Sequence, residues 1–161
     1  QINHREAKAV KAQVTWTGPG LRMVGETEDS PAIVVGSRGG TYGTHTGLTP
    51  MELVLVGLAG CTAMDVISIM AKKRQPMTNL QVKVDAERAD DHPKVFTKLH
   101  LTYVAYGEGV DEKALSRAIQ LSEERYCSVQ AMLKTVAEVT SSYEILDAVG
   151  PSDPGAPMDE E

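Results

Sequence analysis

Residues 51–70, MELVLVGLAGCTAMDVISIM, form the longest apolar run in the chain, and that run governs most of what the sequence can fold into. Thr49-Pro50-Met51-Glu52 ahead of it marks a helix start. Thr49 serves as N-cap, Pro50 occupies the first helical position where no N–H is needed, and Glu52 reaches back from the third. A helix from Pro50 to about Arg74 would be roughly 36 Å long at about 1.5 Å per residue. From Leu53 to Gly60 it is apolar on every side, a pattern that demands burial all round. One small sheet cannot supply that cover. The remaining face is expected to pack against a second copy of the chain, with Gly57 and Gly60 permitting a close approach.

Short β elements surround this helix. KAQVTW (11–16), LRMVGE (21–26) and AIVVG (32–36) read as strands, separated by turn signals at Gly18-Pro19-Gly20 and Ser30-Pro31. Residues 80–87 alternate, with Leu80, Val82, Val84 and Ala86 on one face and Gln81, Lys83, Asp85 and Glu87 on the other, the signature of a half-buried strand. A turn at Asp90-Asp91-His92-Pro93 leads into a second alternating segment from about Lys94 to Tyr106, so 80–106 is expected to be an antiparallel hairpin. Asp111 caps a helix of about 112–124, the polar SEERY breaks it, a last helix opens at Cys127 and runs through 128–139, and TSSYEIL (140–146) is a final strand. The order segregates helices from strands and predicts an α+β fold, antiparallel sheets wrapped around a long buried central helix. One domain is expected over 11–147, flanked by a flexible N-terminus (1–10) and a Pro/Gly-rich acidic tail (148–161) without fixed structure.

Cys61 and Cys127 are the chain's two thiols, 66 residues apart, each beside a helical segment. The opening QINHREAKAVKAQVTW has no apolar stretch of signal-peptide length, which points to the reducing cytoplasm, where a cysteine pair that oxidises is usually transient and catalytic. A thiolate at the start of the last helix would be stabilised by unpaired amides, giving Cys127 a low pKa. Cys61 sits mid-helix with Asp65 one turn on, so its ionisation requires a cation from elsewhere. Arg22 and Arg38, both from the N-terminal β region, are the candidates, Arg22 being strand-borne and the better held; Arg125, two residues before Cys127, is a third.

Other chemistry finds little support. Sixteen basic residues against 22 acidic leave a net charge of −6, and no basic stripe with interleaved aromatics argues for nucleic acid. Thr62, Asp65 and Ser68, then Lys72, Lys73 and Arg74, leave the uncharged stretch short of the roughly 18 residues that a membrane span needs. His4, His45, His92 and His100 are scattered without metal-ligand spacing. The loop GGTYGTHTG (39–47) lacks the lysine and spacing of a phosphate cradle, although His45 could line a site there. No cofactor is implied.

TPMELVLVGLAGCTAMDV (49–66) together with ERYCSVQAML (124–133) resembles the OsmC/Ohr family, the osmotically inducible protein C and organic hydroperoxide resistance proteins, in its OsmC-like branch. The likeness spans roughly residues 11–146. It implies an intertwined homodimer acting as a thiol peroxidase on organic hydroperoxides in oxidative-stress defence. Cys61 would be the peroxidatic residue, a buried sulfur in an apolar site, and Cys127 would condense with its sulfenic acid to a disulfide that a dithiol reductant reopens. The resemblance also implies an activating arginine and glutamate. The family glutamate commonly stands ten residues before the cysteine, where this chain has Met51; Glu52 is next. Glu52 would lie roughly 13 Å from Cys61 along one helix and so act only across a dimer interface. Ser128 stands where many relatives carry proline. The competing class is a dimeric binding protein that holds an apolar ligand, lined by Met51, Met64 and Met70, with cysteines that serve packing only.

Overall fold

A computed structural model describes residues 10–39, 45–148 and 150. The expectations for residues 1–9, for 40–44 of the Gly-rich loop and for nearly all of the acidic tail fall outside the described residues. The chain divides into two compact units, Gln1–Val54 and Leu55–Glu161.

The first unit is an antiparallel meander, β1 (Ala12–Trp16), β2 (Met23–Thr27) and β3 (Ser30–Val35), in that spatial order. Gly18 (φ 39°) and Gly20 (φ 66°) take the left-handed conformations that the β1–β2 turn requires. Trp16 Nε1 donates to the Gly20 carbonyl across that turn at 2.7 Å. Ser30 and Pro31, expected in a turn, instead open β3. This edge strand tolerates the missing proline N–H, and the turn itself falls on Glu28 and Asp29. Leu48 then pairs alongside Val35, and the Gly36 N–H donates to the Leu48 carbonyl at 3.0 Å, delivering the chain to the helix start.

Helix α1 (Pro50–Lys72) begins as its capping box dictates. The Glu52 N–H donates to Thr49 Oγ1 at 3.3 Å and the Thr49 N–H donates to Glu52 Oε2 at 2.8 Å. The expectation of burial on all sides does not hold within one chain. Leu58, Thr62, Val66 and Met70, spaced every four residues, are buried as one stripe, whereas Val56, Met64 (73% exposed) and Ile67 face outward. Among the described residues α1 is the helix long and apolar enough to cross a membrane by length and composition. Thr62 and Asp65 tie it instead to other elements of the second unit by hydrogen bonds.

The second unit holds a three-stranded sheet in the order β4 (Asn79–Arg88), β5 (Phe96–Tyr106), β6 (Glu138–Leu146). The β4–β5 hairpin is antiparallel as the alternation predicts. The β5–β6 pair is parallel, so this sheet is mixed rather than antiparallel throughout, and the connection must cross the sheet through helices. β5 lies in the middle and is the most buried strand: Phe96, Leu99, Leu101, Tyr103, Val104 and Ala105 belong to the core.

The crossover consists of α2 (Glu112–Leu121), a π-helical turn (Ser122–Tyr126) and α3 (Ser128–Leu133). Asp111 caps α2 as expected, accepting from the Lys113 N–H at 3.1 Å. SEERY does not break the helix; it widens it into the π turn, with the Cys127 N–H donating to the Ser122 carbonyl five residues back at 2.8 Å. The last helix is shorter than the 128–139 expected. It ends at Leu133, and turn hydrogen bonds through Ala137 lead into β6.

Candidate functional site

The two thiols come together in the second unit. Cys61 is half-buried on α1, Cys127 is buried at the N-cap of α3, and Cys61 is among the groups that act on the Cys127 thiol. Both are free. The burial expected of Cys61 is not what the structure shows: Cys61 is the accessible sulfur and Cys127 the enclosed one.

Cys127 has the predicted helix-start position, and the Gln130 N–H donates to its sulfur at 3.4 Å. The low pKa drawn from that position does not follow. Burial pushes the Cys127 thiol up to about 11, the hydrogen bond to Cys61 and the charges of Cys61 and Asp65 push the same way, and the Gln130 amide only partly offsets them. Helix α3 has six residues, so its dipole is small beside the cost of desolvating a thiolate. Gln130 itself is fully buried, with no partner for its Oε1.

Around the pair lies a polar cluster that sequence reasoning missed apart from Asp65. Tyr103 Oη and Thr62 Oγ1 are 2.8 Å apart, Thr62 Oγ1 and Ser122 Oγ 2.8 Å, and Ser122 Oγ donates to Asp65 Oδ2 at 2.9 Å. Tyr103 Oη also donates to Glu123 Oε1 at 3.3 Å. Thr62, Tyr103 and Ser122 have 0% exposure, so each hydroxyl depends on protein partners. Burial raises the Tyr103 phenol well above its ordinary range, leaving it protonated. The available signal was Thr62 and Asp65 on the turn of α1 that follows Cys61; their partners are 41 and 57 residues away and invisible to periodicity.

The remaining candidates lie in the first unit or on the surface. Arg38 pairs with Glu52, its Nε donating to Glu52 Oε1 at 2.7 Å and its Nη2 contacting the same oxygen. Glu52 thus serves Arg38 and the capping box at once. The Thr49 amide above all, with Arg38 and the Thr49 hydroxyl, holds its carboxyl below the usual carboxylate range, against the opposing effect of desolvation. Arg22 precedes β2 rather than lying on it, and its guanidinium donates to the Gly18 carbonyl of its own turn at 2.6 Å. Arg125 is exposed over the Tyr126 ring. His45 is exposed, and His100 bridges Thr140 (2.7 Å) and Ser142 (3.0 Å). No group of metal-ligating residues occurs among the described residues.

Comparison with known proteins agrees with the fold. Residues 43–142 match the family model described as OsmC-like protein. Protein YhfA of Escherichia coli K12 is 36% identical over 139 residues, covering 86% of this chain and 100% of YhfA. The crystal structure of a hypothetical protein from Aquifex aeolicus VF5 is 30% identical, with a TM-score of 0.73 over 88% of this chain and 100% of that one. The organic hydroperoxide resistance protein OhrB of Bacillus subtilis shares the fold, with a TM-score of 0.59 at 13% identity over 84% of this chain and 98% of its own.

Proposed function

Because this chain belongs to the family of OsmC-like proteins, we propose that it is a thiol-dependent peroxidase that reduces organic hydroperoxides through Cys61 and Cys127. The observation that carries this reading is the pairing of a half-exposed Cys61 with a buried, protonated Cys127. An attacking sulfur must meet its substrate, and a resolving sulfur must not be oxidised first. The fold shared with the organic hydroperoxide resistance protein OhrB of Bacillus subtilis supports the same substrate class.

The Cys61 thiolate attacks one peroxide oxygen, the O–O bond breaks, and the alkoxide takes a proton to leave as an alcohol. Cys61 is then a sulfenic acid. Cys127 attacks that sulfur, the disulfide forms and water departs. A dithiol reductant restores both thiols by exchange, in keeping with a reducing cytoplasm. Arg38, held by Glu52, is the activating arginine in this scheme, since Arg22 is spent on its own turn. The pair reaches a Cys61 in a homodimer, each protomer serving the other. Exposed Val14, Trp16, Ile33 and Val34 on the first unit and Val56, Met64 and Ile67 on α1 support that assembly.

Single-cysteine variants test the roles. Cys61→Ser is expected to abolish peroxide consumption, and Cys127→Ser to permit one turnover that leaves a sulfenic acid trappable at Cys61. Multi-turnover activity in Cys61→Ser would overturn the assignment.

A further inference from the structure

A short hydrogen-bonded route joins the two cysteine segments, and it passes through Ser122. On α1, Thr62 follows Cys61 directly and Asp65 stands one turn on. Thr62 Oγ1 lies 2.8 Å from Ser122 Oγ, which donates to Asp65 Oδ2 at 2.9 Å. The carbonyl of the same Ser122 accepts from the Cys127 N–H at 2.8 Å. Its side chain thus grips α1 beside Cys61 while its backbone holds Cys127. The next residue is pinned as well, since Tyr103 of the central strand lies 2.8 Å from Thr62 Oγ1 and donates to Glu123 at 3.3 Å. Thr62, Tyr103 and Ser122 have 0% exposure, so no water competes for these bonds or replaces one that is lost.

The π turn explains why Ser122 carries both attachments. In a continuous α-helix the Cys127 N–H would fall on the carbonyl of Glu123, four residues back. The wider turn moves it to Ser122, five back, whose hydroxyl is already on α1. We propose that Ser122 is a positioning residue for disulfide formation: by clamping the π turn to α1 it sets the approach of Cys127 to Cys61, with Thr62 and Asp65 as its anchors. The inference rests on reading Cys61 and Cys127 as a redox pair. In that step the Cys127 sulfur attacks the Cys61 sulfur, the S–S bond forms and the S–O bond of the sulfenic acid breaks. The departing hydroxide leaves as water with the proton that Cys127 gives up; Cys127 is oxidised and the sulfenic sulfur is reduced. Ser122 exchanges no proton and acts on geometry alone, where a misplacement of about 1 Å costs about 100-fold in rate.

One equivalent of Ellman's reagent tests the clamp in the full-length chain without peroxide. It places a mixed disulfide on the accessible Cys61 and releases one coloured thiolate. Attack by Cys127 releases a second, in a phase whose rate is independent of concentration. Ser122→Ala is expected to leave the first phase unchanged and slow the second about 10- to 100-fold. Two changes at Thr62 separate positioning from stability. Thr62→Val keeps the packed shape but cuts the tie, so it should slow the second phase. Thr62→Ser keeps the hydroxyl but opens a methyl-sized gap, so it should lower the melting temperature yet close at the wild-type rate. Closure at the wild-type rate in Ser122→Ala, or in Thr62→Val if Ser122→Ala does not fold, overturns the proposal, as does equal slowing in Thr62→Ser and Thr62→Val. A wild-type chain without a concentration-independent second phase overturns it too, whereas one that closes fast yet is inert toward hydroperoxides refutes the peroxidase reading alone.

Discussion

Cys127 shows two local effects in competition, and their sizes decide the outcome. One amide N–H at 3.4 Å favours the thiolate, but burial, the neighbouring thiol and Asp65 all oppose it, so the proton stays on. Folding therefore holds a proton that the unfolded chain releases near the ordinary value of 9.0, and stability should fall as pH rises from there to about 11. The loss is on the order of 3 kcal/mol, and thermal melts of wild type and Cys127→Ala across that range should converge by this amount. A constant difference between them would contradict the burial argument. At Cys61, Arg38→Ala is expected to slow alkylation and peroxide reduction by similar factors and leave Cys127 unchanged, while Arg22→Ala does neither; the reverse pattern would return the role to Arg22. The position of Cys127 at a helix start was legible in the sequence because ERYCSVQ changes character there. Its enclosure was not, because the burial and neighbouring charges that set it depend on the three-dimensional packing around it.

Among the elements, α1 was the most legible, since Thr49, Pro50 and Glu52 state its start in four residues and the structure reproduces both capping hydrogen bonds. The β4–β5 hairpin was equally plain from its alternation. The direction of β6 was not, because a strand bears the same pattern whether its neighbour runs parallel or antiparallel, and the end of α3 was hidden by apolar spacing that continues through Val136 and Val139. The outer face of α1 carries the clearest prediction at this scale. A Cβ at Gly60 would meet nothing within 4 Å among the described residues, so Gly60→Leu should fold and gain helix propensity. Light scattering at micromolar concentration is expected to give wild type twice the chain mass of 17.3 kDa and to show Gly60→Leu dissociating toward it. A wild-type monomer would remove the partner that the exposed apolar face calls for.

At the scale of the whole molecule, the first unit contributes Arg38 and Glu52 and exposes apolar strands, while the second contributes the two thiols and the hydroxyl chain that surrounds them. The α+β class and the family were legible because the helix start and both cysteine motifs are local strings. The hydrogen bonds by which Ser122 holds both Asp65 and the Cys127 backbone were not, since they join α1 to a π turn 57 residues further along the chain. What unites these parts is the claim that Cys61 and Cys127 exchange two electrons with a hydroperoxide. Counting free thiols after one equivalent of an organic hydroperoxide, under denaturing conditions, tests that claim most directly. The account predicts that both thiols disappear together and that a dithiol restores them; two free thiols after exposure to peroxide would contradict it and leave a binding protein whose cysteines serve packing alone.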